Sequence, residues 1–158
     1  GEPVEAVTGV GTGLNSEGLT RKIAVLKQVL DFHADVTEPM DVLAAMGGLE
    51  IATMAGAVLP AAVERRVIVV DGFITTAAVL VASRLQPHVL QRCVYSHRSG
   101  EPGHTRMLAH LQAHALLDWQ LRLGEGSGAS LAWPLLQSAC TMLNEMASFE
   151  SAGVSTKS

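Results

Sequence analysis

The sequence predicts an α/β fold, a parallel sheet with flanking helices. Two short continuous apolar runs, VIVVDG at 67–72 and CVYSH at 93–97, alternate with longer stretches of helical period. A strand covered on both faces of a parallel sheet reads as such a run. Strands alternating with helices argue for parallel pairing through right-handed crossovers. Aromatic residues make up only 4% while Ala, Val, Leu and Gly abound, a balance that suits close packing of helices on a sheet. With 158 residues, 48% of them hydrophobic, the chain can bury one sizeable core. One domain is expected over 1–150, followed by a flexible tail over 151–158.

The elements follow in order. GVGTGLNSEG at 9–18 is a glycine-rich loop in which Asn15 or Ser16 could cap the next helix. That helix is expected over 17–33, because Leu19, Ile23, Leu26 and Leu30 recur at three- and four-residue spacing, and Lys22 falls on its first turns. A second helix is expected over 41–58, rich in Ala, Gly and Met, with Pro60 and the charged run at 64–66 as punctuation. The strand at 67–72 leads into a helix over 73–85, and the strand at 93–97 leads through RSGEPGH (98–104) into a helix over 105–113. LLDWQLRL then runs into the glycine loop at 124–128, and a last helix spans 129–149 with Pro134 tolerated near its start. In open α/β sheets ligands sit beyond the carboxyl ends of the strands. Asp71-Gly72, the loop at 98–104 and the loop at 124–128 are therefore expected to share one rim.

The formal net charge is −4 and the eleven Lys and Arg residues are scattered, so no electrostatic footprint for nucleic acid is present. No stretch reaches the apolar length of a bilayer span, and Cys93 and Cys140 sit far apart in apolar surroundings, which reads as reduced core thiols. A soluble, cytoplasmic protein is expected. The opening GEPVEAV has no initiator Met and reads as the interior of a longer product.

Four stretches carry chemistry. GVGTG at 9–13 is only part of a dinucleotide fingerprint. As an anion loop it is better, since backbone N–H groups and the helix start behind it favour a phosphate and Lys22 could add charge; an ordinary glycine turn with an exposed lysine is the competing reading. In RSGEPGH, Ser99 can donate to a phosphate oxygen. His97 and His104 lack a third ligand at a recognisable spacing, so no metal is expected. In VDGF, Asp71 either caps the helix that follows or holds a ribose hydroxyl.

LGEGSGA at 123–129 sets Glu125 between two glycines. The bland reading is a solvated acid. The flanking glycines, however, let a ligand approach the carboxylate closely. A carboxylate desolvated by apolar groups has its pKa raised from about 4.3 towards the working pH, as a general base needs.

GVGTG with RKIAV, VLAAMGGLEIA, VDGFITTAA, HRSGEPGH, LRLGEGSGA and CTMLNEMASFE together resemble the nicotinate-nucleotide:dimethylbenzimidazole phosphoribosyltransferases of cobalamin lower-ligand synthesis. The resemblance spans nearly the whole chain, with the motifs in the family's order. It implies a Rossmann-like three-layer architecture lacking the amino-terminal half of the family fold. It also implies transfer of phosphoribose from nicotinate mononucleotide to 5,6-dimethylbenzimidazole, without a cofactor. Glu125 occupies the position of the family's catalytic base. Leu123 and Gly124 would line the benzimidazole side, Gly11, Lys22 and Ser99 would contact the phosphate, and Asp71 and Gly72 would form the pocket rim. The helix at 41–58, with its small residues and Met, could pack against a second copy as readily as against its own sheet. A homodimer or the absent amino-terminal half is therefore the expected partner.

Overall fold

The structure, a computed structural model, describes residues 1–11 and 13–153. Thr12 of the GVGTG loop and residues 154–158 of the expected flexible tail lie outside them; residues 151–153 form a turn. Among the described residues, seven helices and three strands follow in the order α1 (Val4–Val7), α2 (Ser16–Phe32), α3 (Pro39–Met46), α4 (Leu49–Val63), β1 (Ile68–Val70), α5 (Gly72–Leu85), β2 (Cys93–His97), α6 (Pro102–His110), β3 (Ala115–Leu117) and α7 (Ser127–Glu145), with a 3-10 segment at Pro87–Arg92 before β2. The strands form one parallel sheet in the order β1-β2-β3, registered by Val70 opposite Tyr95 and by His97 opposite Leu117. This is the α/β class expected, with helices flanking a parallel sheet.

The core lies where α4, α5 and α6 meet the sheet. Val70, Ala78, Val79, Ala82, Val89 and Leu108 are buried there, with Tyr95 of β2 among them. Full burial of a side chain such as Val79 contributes about 1.5–3 kcal/mol. Small residues on α5 let α4 lie close along it, which is what the Ala-rich sequence of both helices provides.

Several expected boundaries moved, each for a local reason. The single helix expected at 41–58 is two. Gly47 and Gly48 are both extended and divide α3 from α4. Glycine loses most by helix formation, and the Gly47 amide instead donates to the Leu43 carbonyl at 2.9 Å and closes α3. Pro60 does not end α4, which continues to Val63; packing against α5 outweighs the missing amide. Pro102 takes the first position of α6 and draws its start three residues earlier than expected, because a fixed φ is already helical and the lost donor is an orphan there. β3, three residues long, was not expected at all. Asn15 does cap α2, its side chain accepting from the Gly18 amide at 2.8 Å. Cys140 departs from its expected place in the core: it is exposed on α7, whereas Cys93 is half-buried, and both thiols are free.

Candidate active site

The carboxyl ends of the three parallel strands open onto a cavity of about 1120 Å³. Its wall includes Gly11, Lys22, Asp71, Gly72, Ser99, Gly124 and Glu125. Positions spread over more than a hundred residues of chain thus converge: Asp71, Gly72 and Ser99 follow β1 and β2, Gly124 and Glu125 precede α7, and Gly11 and Lys22 come from the loop before α2 and from α2 itself. Leu123 stands apart from these. It is 76% exposed and does not belong to the cavity wall.

Glu125 projects from a turn of unusual backbone. Gly124, Glu125 and Gly126 have φ of +76°, +58° and +75°, and the Ser127 amide closes the turn on the Gly124 carbonyl at 3.0 Å. Glycine adopts this left-handed region freely, whereas a residue with a Cβ there costs about 1–2 kcal/mol. Strain of this kind at a cavity wall is characteristic of functional positions. Flanking glycines leave open space on both sides, since a Cβ added to either would meet nothing within 4 Å.

Asp71 ends β1 and sits beneath this turn. It does not cap its own helix. Its Oδ2 accepts from the Gly126 amide at 3.1 Å and its Oδ1 from the Ala129 amide at 2.8 Å, so it caps α7 instead. His97 lies next to it, 3% exposed, with Nε2 3.5 Å from Asp71 Oδ1 and neither ring nitrogen in a hydrogen bond. Gly128 lets α7 descend onto this pair: a Cβ there would stand 2.0 Å from His97 Cδ2 and 2.6 Å from Asp71 Oδ1.

A second buried histidine shapes the neighbouring loop. His104 Nδ1 accepts the Ser99 amide at 2.9 Å. Its proton therefore sits on Nε2, directed at the Thr76 hydroxyl at 3.0 Å, which donates on to the Gly72 carbonyl at 2.6 Å. Burial, with His97 nearby as the lesser cause, pushes the His104 pKa down to about 4. The ring is neutral and structural, and it holds the Ser99 loop against α5. The Ser99 hydroxyl accepts from the Glu101 amide at 3.3 Å, leaving its own proton to donate.

Basic groups line the same cavity. Lys22 Nζ donates to the Gly9 carbonyl at 3.0 Å, which uses one of its three N–H groups. Arg122 donates to the Gly11 carbonyl at 2.7 Å and to Glu101 Oε1 at 3.1 Å, tying the first glycine loop to the Ser99 loop. Sequence reasoning missed Arg122 and its tie to Glu101. Arg122 stands immediately before LGEG, but a lone arginine beside a motif carries no pattern by itself. Among the described residues, no three or more His, Cys, Asp or Glu side chains gather to hold a metal ion, and no helix is long and apolar enough to cross a membrane.

A parallel sheet whose rim loops enclose a cavity lined by both carboxylates and basic groups defines an α/β protein with a ligand site at the strand ends. The chain belongs to the phosphoribosyltransferase family designated DBI_PRT, whose model matches residues 1–154. It is 64% identical over 157 residues to the "Nicotinate-nucleotide--dimethylbenzimidazole phosphoribosyltransferase" of Variovorax paradoxus, covering 99% of this chain and 45% of that protein. A protein of the same name from Cupriavidus taiwanensis is 60% identical over 158 residues, covering 100% of this chain and 46% of that one. The crystal structure of CobT from Thermus thermophilus superposes with a TM-score of 0.90 at 41% identity, covering 98% of this chain and 46% of that one. The chain therefore spans a little under half the length of the relatives it matches.

Proposed function

We propose that this chain carries the catalytic base and phosphate site of an enzyme that transfers phosphoribose from nicotinate mononucleotide to 5,6-dimethylbenzimidazole. The products are α-ribazole 5′-phosphate and nicotinate. The observation that carries the reading is the convergence of Gly11, Lys22, Ser99 and Glu125 on one cavity at the strand ends. The relatives' names, which specify a nicotinate nucleotide and dimethylbenzimidazole, support this choice of substrates.

In this reaction one ring nitrogen of the benzimidazole attacks C1′ of the ribose. The bond from C1′ to the pyridine nitrogen breaks, and its electron pair leaves with nicotinate. Glu125 takes the proton from the other benzimidazole nitrogen, so the new glycosyl bond forms on a neutral ring. Lys22, Ser99 and the loop at Gly11 hold the phosphate, and Asp71 and Gly72 form the pocket rim. Leu123, exposed beside Gly124, covers the benzimidazole from outside the wall. Charge develops at C1′ in the transition state, so placement of the two substrates matters more than covalent chemistry. No cofactor takes part. The two free thiols suit a cytoplasmic location.

The test is release of nicotinate from the two substrates by the wild-type chain and by Glu125→Gln. A positioned general base supplies roughly 10²–10⁴-fold, so the variant is expected to lose at least that much while its unfolding midpoint stays put. A variant that retains the wild-type rate removes Glu125 from the role.

A second reading is favoured by the far part of α7 and the residues after it. Leu143 is 85% exposed, Met146 73% and Phe149 76%, and exposed apolar surface of that extent marks an interaction site. In this reading the chain is active only when joined to a complementary polypeptide or to a second copy. Native mass measurement separates the cases: a monomer with full turnover refutes it.

A further inference from the structure

We infer that Asp71 is a positioning residue: its carboxylate, seated beside the buried His97, holds the first turn of α7 and so fixes the direction in which Glu125 enters the cavity. This rests on the reading of Glu125 as the base.

Three observations lead here. Gly126 is the residue immediately after Glu125, and its amide donates to Asp71 Oδ2 while the Ala129 amide donates to Oδ1. Both oxygens are thus engaged with backbone on the carboxyl side of the strained turn. α7 brings no side-chain cap of its own, because its N-cap is Gly126. The cap comes from a residue 55 positions earlier in the chain, and a carboxylate at a helix N-terminus also faces the positive end of the helix dipole. Thirdly, His97 is almost fully buried against Asp71 with both ring nitrogens unpartnered, and it lines the same cavity. The Ser96 hydroxyl, which donates to the Val70 carbonyl at 2.9 Å, also reaches Asp71 Oδ1 at 3.5 Å. The carboxylate is therefore confined from below by β2 and from above by α7.

The decisive variant is Asp71→Asn in the full chain, which keeps the shape but leaves one of the two amides facing an NH₂ group. Backbone amide exchange is followed by NMR, and nicotinate release is measured in parallel. Exchange at Gly126 and Ala129 is expected to rise by about 10-fold or more, with the amides of β2 unchanged. kcat is expected to fall by about 10²-fold with KM for nicotinate mononucleotide within about 3-fold, the pattern of a misplaced catalytic group. A raised KM with normal exchange would make Asp71 a substrate ligand and overturn the inference. So would a lowered unfolding midpoint with unchanged kcat per folded molecule. If the wild-type chain releases no nicotinate, the functional reading fails, and the exchange experiment alone still decides whether Asp71 sets the turn. Should Asp71→Asn yield no folded chain, Asp71→Glu keeps the charge and displaces the carboxylate by one methylene. The same pattern is expected there, and wild-type exchange with wild-type kcat refutes the inference.

Discussion

Replacing Gly128 by alanine adds a single methyl group at the point where α7 meets the sheet. That methyl would stand 2.0 Å from His97 Cδ2 and 2.6 Å from Asp71 Oδ1, distances that real carbon contacts do not reach. His97 is held by β2 and almost wholly buried, so α7 has to give way. Overpacking of this kind costs typically 1–3 kcal/mol. Lifting the helix also stretches the two amide bonds to Asp71, each worth about 1.5–3 kcal/mol as a hydrogen bond to a charged group. Losing one of them as well as packing gives a destabilisation of about 2.5–6 kcal/mol. Urea unfolding of wild type and Gly128→Ala measures it directly. The informative control is Gly124→Ala, where the added methyl meets nothing within 4 Å but φ is +76°. Only backbone strain operates there, and about 1–2 kcal/mol is expected. Equal effects at the two glycines, or a change under about 0.5 kcal/mol at Gly128, would refute the close approach of α7 to His97 and Asp71.

His104, buried and held neutral with a pKa near 4, makes stability depend on pH. A histidine in the unfolded chain protonates near pH 6.5, so its contribution is fully present above that and is lost as pH falls towards 4. The slope in this window is expected to approach about 1.4 kcal/mol per pH unit. His104→Gln should flatten it in urea titrations at several pH values, and an unchanged slope would count against a buried neutral ring. The two cysteines should differ in reactivity. Cys140 is exposed, whereas burial pushes the Cys93 thiol up to about 11, so one fast-labelling thiol per chain is expected at pH 8. Cys140→Ser should remove that fast phase; its survival would place the reactive thiol at Cys93.

Local pattern in the sequence was enough for some elements and not for others. CVYSH was expected as a strand and is one, because a β-branched and aromatic run bounded by polar loops has few alternatives. β3 escaped because Ala115–Leu117 is a three-residue run inside AHALLD, too short for any periodicity to register. The break at Gly47–Gly48 was hidden because the same glycines also suit a closely packed helix. The loops of the site were legible as glycine-rich punctuation, and the family resemblance attached roles to them. Asp71 shows where such reading stops. Its neighbours suggested a cap for α5 or a ribose contact, but its partners lie 55 and 58 residues away, and nothing in VDGF points to them. Arg122 is the same case, since the carbonyl it reaches on Gly11 lies 111 residues earlier.

The clasp beneath α7 also determines how motion is distributed. With 19 residues the helix is a rod about 28 Å long, held firmly at its root and bare along most of its shaft. A tilt of about 5° about that root sweeps the far tip through roughly 2 Å, yet displaces the adjoining turn by a small fraction of that. Because the pivot coincides with the base of the Glu125 turn, a tilt of the outer shaft would move that turn little.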